Sequence, residues 1–360
     1  MGLKIVIYGL ILAGGKGTRL YPLSRQDEPK QFLKIVNNKS FLQNTIDRVK
    51  LLVEKENIYI ITNEGYVEKI KNELADINKN NIFTEPLNKE TATCIGLSAV
   101  RLLKKDKDAI MMVLPSDHHI EQNDKFSETL RQALEIAEKR RGLVTVGVTP
   151  TRPETGYGYI EMGEQINGNI PSYKVSRFTE KPNIEVAKDF LSKGTYLWNS
   201  GMFIFRADVV LREIEKYIPK MYKGLMNIYT HLGGDDEEDI IRLEYEKIDG
   251  ISIDFAIMQK TRKAYVIKAD FLWNDIGSFS ALSKFLNESG TNSISEKVFL
   301  EECDNCSIFG KEKLVVGFGI NDLVIVDTGE VILVMNKNKE QEIKQLLRDM
   351  GKDKALIKYL

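Results

Sequence analysis

Residues 11–25, ILAGGKGTRLYPLSR, set Gly14, Gly15 and Gly17 among Lys16, Thr18, Arg19 and Arg25. Glycines let backbone N–H groups approach an anion, and amides presented in this way favour negative charge. Two familiar phosphate motifs do not fit. G-x-x-x-x-G-K-[ST] finds its glycines at Gly9 and Gly14, but Gly15 stands where lysine is needed. G-x-G-x-x-G finds Gly15 and Gly17, but Leu20 holds the third place. Taken alone, the loop reads either as a phosphate cradle or as a glycine turn without a ligand.

Asp117 follows the apolar run AIMMVLP, at the carboxyl end of an expected parallel strand, where open α/β sheets bind ligands. Magnesium uses one or two carboxylates with phosphate oxygens and waters, so an aspartate here suits it; an aspartate also caps turns and helices well. His118 and His119 are adjacent, point apart and have no third ligand at useful spacing, which makes them packing and hydrogen-bonding residues. Three cysteines, Cys94, Cys303 and Cys306, are too few and too odd for a disulfide framework and suit a reducing cytoplasm. Cys303 and Cys306 lack a second ligand pair for zinc and read as residues of a turn.

These residues need elements to hold them. IVIYGLIL, NIYIIT, AIMMVLP and LVTVGV are short apolar runs, as expected of strands buried on both faces. Between them, SFLQNTIDRVKLLVE, TATCIGLSAVRLLKK and FSETLRQALEIAEKR have helical spacing, the first opened by a Ser40/Gln43 capping box. This alternation predicts a mostly parallel sheet with helices on both faces. GYGYIEM, YKVSRFTEKP and GMFIFRAD read as further strands, and residues 207–262 as helix-rich, with GGDDEED (233–239) a solvated loop. KAYVIKADFLWNDIGSF returns to strand and then loop. After residue 290, VFLEE, SIFG, LVVGFG, LVIVD and VILVMN predict a β-rich unit closed by the helix KEQEIKQLLRDM. Val331–Met335 is nearly all apolar, so this chain or a second copy should cover it.

The chain of 360 residues suits a large α/β domain plus something smaller. With 51 Lys+Arg against 52 Asp+Glu there is no basic excess of the kind nucleic-acid binders carry. The N-terminal apolar stretch is too short for a membrane span and lacks a cleavage-like site, and Val6 excludes a myristoylation signal. No membrane partner is expected.

GGKGTRLYPLSR followed by EPKQFL resembles the sugar nucleotidyltransferase family, and within it the mannose-1-phosphate guanylyltransferases. PSDHHI (115–120), TGYGYI (155–160), FTEKP (178–182), WNSGMFIF (198–205), SIDFAIMQK (252–260) and WNDIGSF (273–279) match in the family's order. PKQFL points to the guanylyl branch. The resemblance implies a Rossmann-like, GT-A-like mixed sheet over residues 1–285 and a short β-helix-like domain over 286–360 that makes a homodimer. It implies GTP and mannose 1-phosphate as substrates, GDP-mannose and pyrophosphate as products, and Mg2+ held by Asp117 and Asp275.

By the same resemblance, Gly14, Gly15, Gly17 and Thr18 would hold the nucleoside phosphates, and Arg19 and Lys30 would act on the reacting and leaving phosphates. Taken singly, Arg19 could be a surface ion pair, Lys30 a solvated lysine at a helix start, and Arg25 structural. Glu85 would read guanine, whose N1–H and N2 amino group offer two parallel donors to one carboxylate; a plain surface acid is the alternative. ETAT at 90–93 departs from the family's NTAP. Gly158, Glu180 and Asn199 would meet the sugar and Lys181 its phosphate, with Tyr157 and Tyr159 packing. A sugar-nucleotide sensor that keeps the fold without catalysis, or an enzyme for another manno-configured sugar 1-phosphate, are the other readings. With no histidine beyond His231, a fused metal-dependent isomerase is not expected.

Overall fold

The computed structural model describes residues 6–15, 17–288, 297–310 and 313–360; the expectations for Met1 and Gly2 lie outside them. The chain divides into two compact units. One takes the segment ending at Gly14 together with Ile46–Pro115 and Ile120–Leu272; the other takes Gly15–Thr45, Ser116–His119 and Trp273–Leu360.

The first unit is built on a nine-stranded mixed sheet. β1 (Ile7–Leu12), β2 (Ile58–Asn63), β3 (Ile82–Glu85) and β4 (Ile110–Pro115) run parallel in the order β3-β2-β1-β4. The apolar residues of β1, β2 and β4 are buried almost throughout, as a parallel ladder requires, while those of the edge strand β3 are half-buried. Register places Leu12 beside Ile61 and Pro115, and Asn63 beside Glu85, so these carboxyl ends form one edge. After the two-residue β5 (His119–Ile120) come β6 (Leu143–Val148), β7 (Tyr159–Ile166), β8 (Ser172–Thr179), β9 (Tyr196–Arg206) and β10 (Ala264–Lys268). β9 lies antiparallel between β4 and β6, and β10 runs parallel to β6. The antiparallel pair β7 and β8 finishes the sheet.

α3 (Glu90–Lys105), α6 (Ala207–Tyr217), α7 (Pro219–His231) and α8 (Glu237–Lys247) share one apolar core with alternate residues of the sheet, such as Met111 and Val113 of β4. α4 (Asn123–Arg140) packs on β4, β6, β9 and β10 with a separate buried set that includes Phe126 and Leu130. α2 (Val67–Glu73) and α5 (Ile184–Lys193) complete the unit's α-helices. The acidic run is not wholly loop: Glu237, Glu238 and Asp239 form the first turn of α8, where carboxylates favour the helix N-terminus.

The capping box forms as expected, with Ser40 N donating to Gln43 Oε1 and Gln43 N to Ser40 Oγ, each at 3.0 Å. The helix it opens, α1 (Phe41–Val49), stops short of the predicted KLLVE extension. Leu52 N turns back to Val49 O and leaves Leu51 exposed.

The second unit holds β11 (Trp273–Asn274), α9 (Phe279–Glu288), β12 (Val298–Glu301), β13 (Ser307–Gly310), β14 (Val315–Phe318), β15 (Leu323–Asp327), β16 (Ile332–Asn336) and α10 (Ile343–Met350). α9 begins at Phe279, the last residue of the segment expected to end as a loop. β12 pairs with β14 and β13 with β15, both parallel, while β16 returns antiparallel on β15. Leu20, Tyr21 and Phe41 share a core with Phe279, Phe309, Val324, Leu333 and Ile343, so the residues just after the glycine loop are anchored by the β-rich tail. Val331–Met335 is only half covered. Leu333 is buried in that core, while Ile332 and Val334 face solvent, as do Phe299, Val316 and Phe318. No helix among the described residues is long and apolar enough to cross a membrane.

Candidate active site

In the second unit the loop is shaped for a close approach. Nothing lies within 4 Å of where a side chain on Gly15 would begin. Gly17 has φ +62°, a conformation that favours glycine, and a side chain there would collide with Lys30. Ser24 Oγ donates to Gly17 O at 2.6 Å and fixes the turn. Leu20 is fully buried, which leaves Thr18 and Arg19 of the same 3-10 turn partly exposed. Among the described residues Arg19 has no ion-pair partner, so its guanidinium is not the half of a surface pair.

Lys30 is not a solvated lysine: it is 5% exposed on a buried 3-10 turn, Lys30–Phe32. Its Nζ donates to Asp117 Oδ2 at 2.8 Å and to the backbone carbonyl of Asp275. Burial alone would raise the Asp117 carboxyl, but the Lys30 ammonium, helped by His118, outweighs it and holds the group below the ordinary carboxylate value. Asp275 Oδ1 accepts from Gly277 N at 3.0 Å, which orients the carboxylate within its own turn. One ammonium thus ties together both aspartates expected to bind metal. Two hard carboxylate donors beside a phosphate-type loop fit a divalent cation that completes its shell with phosphate oxygens. The histidines are local residues. Trp273 Nε1 donates to His118 Nδ1 at 3.2 Å, and the His119 ring packs 4.4 Å from that of Phe285.

Cys303 Sγ and Cys306 Sγ bond to backbone carbonyls of their own turn, and all three cysteines are free thiols. Among the described residues no group of three or more His, Cys, Asp or Glu could hold a metal.

In the first unit two clusters stand out. Gly14 follows β1, where Thr62 Oγ1 donates to Ala13 O at 3.1 Å and Asn63 Nδ2 to Gly14 O at 3.4 Å. Glu85 ends β3 and is no plain surface acid. Burial pushes its carboxyl up to about 7, while hydrogen bonds from the Tyr245 hydroxyl, at 3.0 Å from Oε1, and from the Cys94 thiol pull the other way. The departure from the family pattern at position 90 falls on a residue with φ +64°, a region that asparagine tolerates better than glutamate.

The second cluster lies where β7, β8 and β9 meet. Asn199 N donates to Gly158 O at 2.8 Å. A side chain on Gly158 would displace the Glu180 carboxylate and crowd Asn199 Cβ and the Phe178 ring. Glu180 is 6% exposed; its Oε1 accepts from Lys181 Nζ, and Lys181 itself sits at φ +46°. Glu180 Oε2, Thr179 Oγ1 and Trp198 Nε1 are buried without a hydrogen-bond partner among the described residues. Such atoms are rare in folded proteins and are the kind that an ordered water or a polar ligand satisfies. Tyr159 is fully buried, with its hydroxyl accepting from Glu154 N, as a packing residue.

Thr145, Tyr245 and Asp254 join these clusters and escape a reading of the sequence. Asp254 lies inside the SIDFAIMQK segment, in a π-helical turn (Asp254–Met258), and bonds Asn199. Its segment carries the only signal.

A family model described as nucleotidyl transferase matches residues 8–291, and one described as a MannoseP isomerase/GMP-like beta-helix domain matches residues 296–350. Mannose-1-phosphate guanylyltransferase RfbM of Salmonella typhimurium is 38% identical over 94% of this chain and 71% of its own length. A Thermus thermophilus structure named mannose-1-phosphate geranyltransferase superposes with a TM-score of 0.83 at 30% identity, covering 96% of this chain and 99% of that one. A Helicobacter pylori structure named mannose-6-phosphate isomerase matches at TM-score 0.62 and 30% identity, over 75% of this chain and 99% of that one. By sequence and by structure alike, the chain belongs to the mannose-1-phosphate guanylyltransferase family of nucleotidyl transferases.

Proposed function

We propose that the chain transfers GMP from GTP to mannose 1-phosphate, giving GDP-mannose and pyrophosphate. The observation that carries this reading is the buried Lys30 ammonium, tied to Asp117 and to the Asp275 backbone beside a glycine loop that packs against Lys30 at Gly17.

The sugar phosphate is already ionised at neutral pH, so the reaction needs no general base. One of its oxygens attacks the α-phosphorus in line; the bond from that phosphorus to the bridging oxygen breaks, and pyrophosphate leaves with the electron pair. Catalysis is then positioning plus electrostatics. The amides of Gly14, Gly15, Gly17 and Thr18 bind the nucleoside phosphates. Arg19 meets phosphate oxygens bidentately, and Lys30 offers its point charge to the α-phosphate. Asp117 and Asp275 hold a divalent cation, taken to be Mg2+, which when bound neutralises phosphate charge. Glu85 accepts the guanine N1–H and N2–H. Gly158, Glu180 and Asn199 meet the sugar hydroxyls, and Lys181 the sugar phosphate.

The β-rich region from residue 286 onward pairs two copies of the chain, through the exposed Phe299, Val316 and Phe318. Sedimentation should give twice the chain mass, and half that for Val316→Lys; a monomeric parent chain would sink this assignment. Three free thiols agree with a cytoplasmic location.

The test is pyrophosphate release from the purified chain with magnesium, over four nucleoside triphosphates and a set of sugar 1-phosphates. GTP with mannose 1-phosphate should give the highest kcat/KM. A higher value elsewhere reassigns base or sugar, and silence throughout, with GDP-mannose still bound, leaves a sensor.

A further inference from the structure

Asn199 is held at both ends of its amide. Its Oδ1 accepts from Gly201 N at 3.2 Å, and Thr145 Oγ1 lies 3.0 Å from it and 3.0 Å from Met202 O, so these two acceptors share the single hydroxyl proton. Its Nδ2 donates to Asp254 Oδ1 at 2.9 Å. A backbone N–H can only donate, so Gly201 N fixes Oδ1 as the acceptor and forbids the flipped amide, leaving Nδ2 toward Asp254. The carbonyl end is occupied and one N–H is used, which leaves a single N–H to offer.

Asp254 is itself placed by an unusual piece of backbone. It opens a one-turn π-helix whose i→i+5 bond runs from Gln259 N to Asp254 O at 3.0 Å. Such turns are rare and recur at functional sites. Burial pushes its carboxyl up to about 7, and the charge of Glu180 adds to the effect. The partnerless Glu180 Oε2 belongs to the same group of residues through Gly158 and Asn199.

We propose that Asp254 is a positioning residue for sugar recognition: with Thr145 it locks the Asn199 amide so that one fixed N–H is directed at a sugar hydroxyl oxygen. The role deepens the sugar-binding reading of Asn199 and rests on it. Asp254 acts through Asn199, and its effect belongs to the sugar phosphate rather than to the nucleotide.

The experiment is steady-state kinetics on Asp254→Ala, Asp254→Asn, Thr145→Val and Asn199→Ala, varying mannose 1-phosphate and GTP separately, with thermal unfolding alongside. Asp254→Ala should raise KM for mannose 1-phosphate about tenfold or more and leave KM for GTP within about twofold. Asp254→Asn retains an acceptor oxygen for Asn199 Nδ2 and should stay within about threefold of the parent. Thr145→Val, isosteric at a buried site, should raise the sugar KM in the same direction and keeps the test alive if Asp254→Ala does not fold. Equal shifts in both KM values, or an Asp254→Asn as damaging as the alanine variant, would overturn the proposal. An unchanged sugar KM in Asn199→Ala removes the sugar-binding reading itself. A raised one, with Asp254→Ala silent, removes only the role of Asp254.

Discussion

Asp117 in the second unit and the pair Glu85 and Asp254 in the first are all half-buried acids, yet they are tuned in opposite directions. Asp117 is met by the Lys30 ammonium at 2.8 Å and is held ionised. Glu85 and Asp254 are met by a hydroxyl and an amide, and burial pushes each up to about 7. A neutral partner satisfies an oxygen but does not cancel desolvation, whereas a cation does both. Permanent charge therefore sits with the residues proposed to handle phosphates and metal, and tunable carboxyls sit with those proposed to recognise uncharged base and sugar edges.

The strongest way to break this contrast is Asp117→Asn, which keeps the shape and removes the charge. It should lower kcat roughly 100-fold or more with little change in melting temperature, as measured by pyrophosphate release and thermal unfolding. A variant with parental kcat would remove Asp117 from the metal site. Glu85→Gln tests the other side of the comparison. It keeps one acceptor but cannot take two parallel donors, so the GTP:ATP ratio of kcat/KM should fall roughly 10–100-fold. An unchanged ratio would show that the base is read elsewhere.

The smallest effect is on stability. Glu85 and Asp254 have folded-state pKa values of about 7, above the ordinary 4.5 and 3.8. Between those limits the folded chain binds more protons than the unfolded one, so the unfolding free energy falls as pH rises. The stabilisation is fully present below the unfolded values and lost through about pH 7, with a slope of up to about 1.4 kcal/mol per pH unit for each group. Denaturant unfolding from about pH 4.5 to about pH 7.5 should show a shallower decline in Glu85→Gln and in Asp254→Asn. Identical slopes in parent and variants would contradict the tuning.

Much of the frame is legible in the sequence because its signals are local. The apolar runs that form β1, β2, β4 and β6, the helical spacing of α3 and α4, and the Ser40/Gln43 box each specify their own structure within a few residues. What escapes depends on partners distant in the chain. Lys30 is buried because Asp117 and Asp275 meet it from 87 and 245 residues away. Tyr245 reaches Glu85 across 160 positions, and Asp254 reaches Asn199 across 55. The shared core of Leu20 and Tyr21 with Val324 and Ile343 is of the same kind. α9 escapes because Gly277 and the WND run before it signal a loop, and its apolar face is explained only by that core.

The most direct test of the account is single-turnover kinetics of Lys30→Ala with GTP, mannose 1-phosphate and magnesium, compared with its equilibrium affinity for GTP. The chemical step should slow roughly 100-fold or more, with GTP affinity within about threefold of the parent. An unchanged chemical step, or a loss explained entirely by weaker GTP binding, would contradict it.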